Sequence, residues 1–471
     1  MRKVKVFCFL LITIFFLHSK VYSQEIEFVS HTITTSANWP RSVYAVDLDD
    51  DGDKDVLSAS SLDSKIAWYE NDGNENFSDH TITSSALHAI SVYAVDVDGD
   101  GDIDVLSASV EDDKIAWYEN DGNENFSDHT ITSNADEAVS VYADDVDGDG
   151  DIDVLSASMG DNIIAWYEND GDENFSIHII SSSAMGAASV FADDVDGDGD
   201  IDVLSASWID DTIAWYENDG DENFSIHIIS SSAMVATSVF ADDVDSDGDI
   251  DVLSASYQDD TISWYENDGD ENFNAHTITT SADGASSVYA VDVDCDGDID
   301  VLSASIVDNK IAWHENDGDE NFNAHIITTS ADNAQSVYAV DIDDDGDIDV
   351  LSASFSVNDN KIAWYENIQV SANDNQISIT NYKLSNFPNP FNPTTTISFS
   401  IPEENKVELS IFNIKGQRIK PLLNDQIAAG EHSFIWDGKD TSGKKISSGI
   451  YLYKLNINGK IEAVKKCLLL Q

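Results

Sequence analysis

One nine-residue segment recurs seven times along the chain, each copy 49 residues after the last. The second copy reads Asp96-Val-Asp-Gly-Asp-Gly-Asp-Ile-Asp104. Five carboxylates take alternate positions around one glycine that all seven copies share. In water alone such a run repels itself; wrapped around a hard cation it does not. The repeat therefore constrains architecture and chemistry together.

The seven copies act as a built-in comparison. A unit reads His-Thr-Ile-Thr, a variable stretch, Ser-Val-Tyr-Ala, the Asp loop and Val-Leu-Ser-Ala-Ser. A second variable stretch follows, then Lys-Ile-Ala-Trp-Tyr-Glu-Asn-Asp-Gly and Asn-Phe. Its runs rich in Val, Ile, Tyr, Phe, Trp and Thr read as strands over 91–95, 104–109, 114–119 and 126–132, with Asp-Gly and Ser-rich turns between some of them. Four antiparallel strands per unit of this length describe a propeller blade. The last unit stops after Trp364-Tyr365-Glu366-Asn367, one strand short. Phe28-Val29-Ser30-His31-Thr32-Ile33 is a fourth strand with no blade before it. Pairing the two gives an all-β, seven-bladed propeller closed by its N-terminal strand, with no bare sheet edge. The alternative is a linear solenoid, bare at both ends.

In each loop the carboxylates take positions one, three, five, seven and nine. They are Asp47, Asp49, Asp51, Asp53 and Asp55; Asp96, Asp98, Asp100, Asp102 and Asp104; Asp145, Asp147, Asp149, Asp151 and Asp153; Asp194, Asp196, Asp198, Asp200 and Asp202. The remaining three sets are Asp243, Asp245, Asp247, Asp249 and Asp251; Asp292, Asp294, Asp296, Asp298 and Asp300; Asp341, Asp343, Asp345, Asp347 and Asp349. Oxygen-only donors in a flexible loop suit Ca²⁺; Mg²⁺ demands stricter geometry and keeps its waters. Transition metals prefer His or Cys, which the loops lack apart from Cys295 at a spacer position. Position seven is expected to offer its backbone carbonyl. An EF-hand also begins Asp-x-Asp-x-Asp-Gly but needs Glu at position twelve, where the first loop has Ser58. About seven calcium sites are expected.

The Asp-x-Asp-x-Asp-Gly-x-x-Asp loops between short strands resemble FG-GAP/VCBS-type repeats, as in the integrin α-subunit propeller. The resemblance covers residues 25–367 and implies a calcium-binding propeller. It leaves function open, since that family includes adhesins, receptors and accessory domains of enzymes.

The seven repeated tryptophans (Trp68 and its counterparts) read as packing between blades, and the seven repeated histidines (His31 and its counterparts) as structural, since a ring holds them too far apart to share an ion. In an up-and-down blade successive loops alternate between ends. The Asp loops then share one face with the Asn-Asp-Gly turns, and the variable stretches share the other. Large side chains concentrate in those stretches: Trp39, His88, Met159, Trp208, Tyr257 and Phe355 mark a possible ligand face.

Composition narrows the partners. The net charge is −69, and residues 24–367 carry 82 acids against six bases. Such a body repels nucleic acid and anionic lipid. Residues 1–23 read as a signal peptide, with Arg2, Lys3 and Lys5 before an apolar run too short to span a bilayer; no membrane span is expected in the mature chain. Once Cys8 leaves with it, Cys295 and Cys467 make no disulfide framework.

Residues 368–380 read as a linker and 381–471 as a small Ig-like β-sandwich, with strands expected over 394–400, 406–413, 431–436, 449–456 and 463–470. Phe387-Pro-Asn-Pro-Phe-Asn-Pro393, Trp436-Asp437-Gly438, Ser448-Gly449-Ile450-Tyr451 and Lys465-Lys466 resemble the type A C-terminal sorting domain of the type IX secretion system. The resemblance implies export through type IX secretion machinery, with release or surface attachment. An ordinary Ig-like module of a periplasmic protein is the alternative.

The expectation is a secreted or surface-attached binding or adhesion module for glycan or protein, not an enzyme. No Ser/His/Asp set stands out, and near-identical blades lack the asymmetry catalysis needs. The alternatives are a lyase-type polysaccharide enzyme on a propeller scaffold and a structural surface-layer component.

Overall fold

A computed structural model describes residues 25–356, 359–370 and, with short interruptions, 384–469. The signal-peptide reading lies outside the described residues, as does most of the expected linker.

Every described element is a strand or turn. Between Glu25 and Val370 the chain forms seven four-stranded antiparallel sheets. The second is typical: Ala89–Val95, Asp104–Ser109, Lys114–Asn120 and Phe126–Thr132, in sheet order. The repeated sheets fit a propeller.

Burial follows sequence strand by strand. Asp-Val-Leu-Ser-Ala-Ser is buried at all positions, because its small and branched side chains lie between two neighbouring sheets. The first strand mixes buried and half-buried positions, and the fourth mixes half-buried and exposed ones. Trp68, Trp117, Trp166, Trp215, Trp264 and Trp364 are almost fully buried. One cluster joins Trp117, Leu106 and Ile115 of one sheet to Val141, Val154 and Tyr167 of the next. Each unit thus completes the core of its neighbour.

The strand Glu25–Thr34 pairs antiparallel with Asp359–Val370, with His31 opposite Trp364. His129 lies opposite Trp117 in the same way. The N-terminal strand therefore supplies the missing fourth strand of the last unit. The partner strand runs on to Val370, beyond the Asn367 expected from sequence, because Glu25 pairs with Val370.

On the first strands, rings from successive sheets pack against one another at tilted angles. Tyr44, Tyr93, Tyr142, Phe191, Phe240, Tyr289 and Tyr338 form a circuit with centroids 4.7–4.9 Å apart, and Tyr338 returns to Tyr44.

The C-terminal residues form two sheets. Ser385–Phe387, Thr395–Ile401 and Gly430–Trp436 make one; Arg418–Ile427, Asn405–Asn413, Gly449–Ile457 and Lys460–Leu469 make the other. Between them lie Phe391, Ile397, Phe399, Leu409, Ile411, Trp436 and Leu455. No described helix is long and apolar enough to cross a membrane.

Candidate functional site

Each Asp loop is shaped by its own carboxylates. In the second, Asp98 Oδ1 accepts from Asp100 N at 3.1 Å, and Asp100 Oδ1 from Asp102 N at 2.9 Å. Asp96 Oδ2 accepts from Gly101 N at 3.0 Å. Gly101 has φ +101°, a conformation natural to glycine, and this lets the loop reverse. The other six loops share that φ at their central glycine, within a few degrees.

The position-nine carboxylate is fully buried. Asp104 Oδ1 accepts from Asn120 N at 2.7 Å and Oδ2 from Val97 N at 3.1 Å. It ties the loop start to the end of the third strand, and the same two bonds recur in every unit. Burial pushes Asp104 up to about 7 despite those bonds. Asp55, Asp153, Asp202, Asp251 and Asp300 rise to about 7 for the same reason, and Asp349 to about 9.

Position one leaves an oxygen over. Oδ1 of Asp47, Asp96, Asp145, Asp194 and Asp243 is buried with no hydrogen-bond partner. Carboxylate oxygens of Asp47, Asp49 and Asp55 lie within 4.8 Å of one another, as do those of Asp96, Asp98 and Asp104 and those of Asp145, Asp147 and Asp149. Unpaired buried oxygens converging on one point fit a hard divalent cation, which would bring the raised carboxylates back down. Positions one, three, five and nine of each loop would hold it.

Position seven is placed otherwise. A Cβ on Gly122 would sit 2.3 Å from Asp102 Oδ2, so the Asn-Asp-Gly turn closes over the loop and shares its face. Asp53, Asp151, Asp200, Asp249 and Asp298 meet the matching glycines in the same way. The seventh loop is distinct: Lys465 of the C-terminal sheets lies 2.6 Å from Asp344 Oδ2.

Sequence reasoning gave no role to the Asn of Trp-Tyr-Glu-Asn. Its side chain bonds the carbonyl at position two of the preceding loop. Asn169 Nδ2 donates to Val97 O at 3.1 Å, and Asn71 Nδ2 to Ile342 O at 3.1 Å. Its recurrence in all seven copies was the available signal. The repeated His has a local role. His129 Nε2 lies 2.7 Å from Glu119 Oε2, and its ring stacks on Trp117 at 4.6 Å.

The variable loops meet each other. Ser61 N donates to Trp39 O at 3.0 Å, and Val110 N to His88 O at 3.2 Å. Trp39 stacks on Phe355 at 5.0 Å, and Trp208 on Tyr257 at 6.1 Å. His88 Nδ1 sits 3.9 Å from Glu111. Met159 is half-buried, and its backbone N–H donates to Glu137 O.

Repeated four-stranded sheets, each carrying one acidic loop, define an Asp-loop type of β-propeller repeat. Residues 47–107, 96–156, 145–205, 194–254, 243–303 and 296–352 match the FG-GAP-like repeat. These six matches span more than half the chain, and the chain belongs to that family. Residues 389–460 match the FlgD Ig-like domain, in keeping with the C-terminal sandwich. No curated protein matches the chain. Among solved structures, BBS1N in complex with ARL6DN, soaked with mercury, is 11% identical with TM-score 0.52, covering 73% of this chain and 96% of that one. A protein from Lactobacillus plantarum is 11% identical with TM-score 0.50, covering 81% of this chain and 99% of that one. At these identities the likeness is one of fold.

Proposed function

We propose that the chain is a secreted or surface-attached, seven-bladed propeller that binds calcium at its seven Asp loops and a glycan or protein on the opposite face. The unpaired buried Oδ1 atoms of the position-one aspartates in the first five loops carry the calcium reading, and the same Asp spacing extends it to the last two, where Oδ1 of Asp292 and Asp341 accepts a backbone N–H. Extracellular calcium modules bind at roughly 10⁻⁴–10⁻³ M. At 100 times the dissociation constant each site stabilises the fold by about 2.7 kcal/mol, so calcium is a main source of stability. The seven sheets and the Tyr338–Tyr44 contact support a closed ring of seven blades.

The calcium loops staple one face, and two separate aromatic pairs, Trp39 with Phe355 and Trp208 with Tyr257, support recognition on the other. The sorting-domain motifs support export by type IX secretion machinery. Titration calorimetry with Ca²⁺, together with melting curves in Ca²⁺ and in EGTA at low salt, tests the core of this reading. A melting temperature unchanged by EGTA would overturn it. Glycan and protein arrays probed with the calcium-loaded chain then define the partner.

A further inference from the structure

The repeats are near-copies, so a departure from the pattern is informative. At one first-strand position the seven units carry Arg41, Ile90, Val139, Ala188, Thr237, Ser286 and Gln335. Arg41 is the only arginine among residues 24–367, where acids outnumber bases 82 to six. Lys65, Lys114 and Lys310 each lie 2.7–3.6 Å from a carboxylate. Arg41 is half-buried, yet no carboxylate among the described residues lies within ion-pair distance of it.

Its neighbours are uncharged. Nη1 donates to Gln335 Oε1 at 2.8 Å and Nε to Ser61 Oγ at 3.3 Å. The guanidinium lies 4.6 Å from the Phe355 ring centroid and 6.0 Å from that of Trp39. Two of its five N–H donors are engaged, and three remain for an acceptor. Burial without an anion also lowers the Arg41 pKa. Ring faces compensate a cation only in part.

Trp39 stands at a backbone position that is left-handed in all seven units. Its φ is +56°, and the matching His88, Glu137, Gly186, Val235, Gly284 and Asn333 lie between +54° and +68°, so the fold fixes this conformation whichever side chain stands there. Ser61 N holds the Trp39 carbonyl at 3.0 Å, and Asn360 Oδ1 accepts from Trp39 N at 3.4 Å. Asn360 Nδ2 in turn donates to Asn38 Oδ1 at 3.1 Å. What sets this unit apart is an aromatic ring that the fold holds in place beside a cationic fork with donors to spare, a pairing suited to recognition.

We propose that Arg41, with Trp39, Phe355 and Gln335, forms a binding site for a saccharide end bearing a single carboxylate. This rests on the reading that the variable face is the recognition face. The planar fork suits one carboxylate in bidentate contact. The stacked rings offer a flat apolar surface for a sugar ring, and the amides of Asn38, Asn360 and Gln335 suit hydroxyl groups. The surrounding acidic body repels a polyanion, which selects one charged sugar at a chain end over a polyuronate.

The test uses the calcium-loaded full chain, with D-glucuronate, D-glucose, acetate and polygalacturonate followed by titration and tryptophan fluorescence. Glucuronate is expected to bind about tenfold or more tightly than glucose, acetate or a uronate unit within the polymer. Arg41→Ala should abolish the difference between glucuronate and glucose, and Arg41→Lys should keep part of it. Near-unchanged melting in Ca²⁺ shows that both variants fold. Absence of glucuronate binding, equal binding of glucose or acetate, preference for the polymer, or glucuronate binding that survives Arg41→Ala would each overturn the proposal. A neutral glycan or a protein captured equally by wild type and Arg41→Ala would overturn it too, while leaving the binding-module reading intact.

Discussion

The Asn120 side-chain amide donates to the carbonyl of Leu48, 3.3 Å away in the preceding sheet, while its own backbone N–H donates to Asp104 Oδ1 at 2.7 Å. One residue thus joins its own Asp loop to its neighbour's. Asn218 reaches Val146, Asn267 reaches Val195, Asn316 reaches Val244 and Asn367 reaches Val293, all at 3.0–3.1 Å. With Asn71 bonding Ile342 O, the first unit is tied to the last. Asn120→Ala leaves a buried carbonyl without this donor, and is expected to cost about 1–3 kcal/mol. Urea unfolding in Ca²⁺ measures it; a loss below the error of that measurement would deny the staple.

The Asp loop carries two separable roles. Asp104 is fully buried and holds two backbone N–H groups; Asp100 is exposed and holds one, that of Asp102. Asp104→Ala leaves two buried donors unmet, so it should lower stability by roughly 2–4 kcal/mol even in EGTA. Asp100→Ala should matter mainly in Ca²⁺, lowering the calcium-dependent rise in melting temperature and barely changing the EGTA value. Equal losses for both variants in EGTA would refute this division of labour.

Much of this was legible in the sequence because the repeat samples each position seven times. The strands Asp104–Ser109 and Phe126–Thr132 fall where composition puts them, and the truncated last unit revealed its N-terminal partner strand. The aromatic circuit was not legible, since Ser-Val-Tyr-Ala does not say which strand lies innermost. Nor was the strand Arg418–Ile427. It is polar and contains Pro421, which an edge strand tolerates because its outer N–H groups need no partner. Nothing in the sequence singled out Arg41; its packing on Phe355, with no described carboxylate at ion-pair distance, sets it apart.

Removing residues 25–34 tests the pairing of the two ends. The deletion strips the fourth strand from Asp359–Val370 and uncovers that edge. His31 also leaves Trp364, on which it stacks at 4.6 Å. The truncated chain is expected to melt at lower temperature and to self-associate through the open strand. A synthetic peptide of residues 25–34 added in trans should reverse both effects. Light scattering and melting curves indistinguishable from the full chain would show that the strand is dispensable.

His314 gives the last prediction. Six units place a tyrosine after the repeated tryptophan, and its hydroxyl meets a buried serine, as Tyr118 meets Ser107 at 3.2 Å. The sixth unit has His314, with Nε2 3.0 Å from Ser303 Oγ and Nδ1 buried without a partner. Burial, aided by Lys310, lowers its pKa from 6.5 to about 4. The unfolded chain therefore binds a proton that the folded one refuses between those values. Stability must fall as pH drops from 6.5 towards 4, by roughly 3 kcal/mol in full. His314→Tyr restores the tyrosine–serine bond and removes that term, so the variant's advantage over wild type should grow as pH falls from 7 to 5. Urea midpoints at the two pH values, each taken in the same Ca²⁺ concentration, decide it. The carboxylates titrate equally in both proteins and cancel in the difference. Parallel pH dependence of variant and wild type would mean that His314 takes up its proton without loss of the fold.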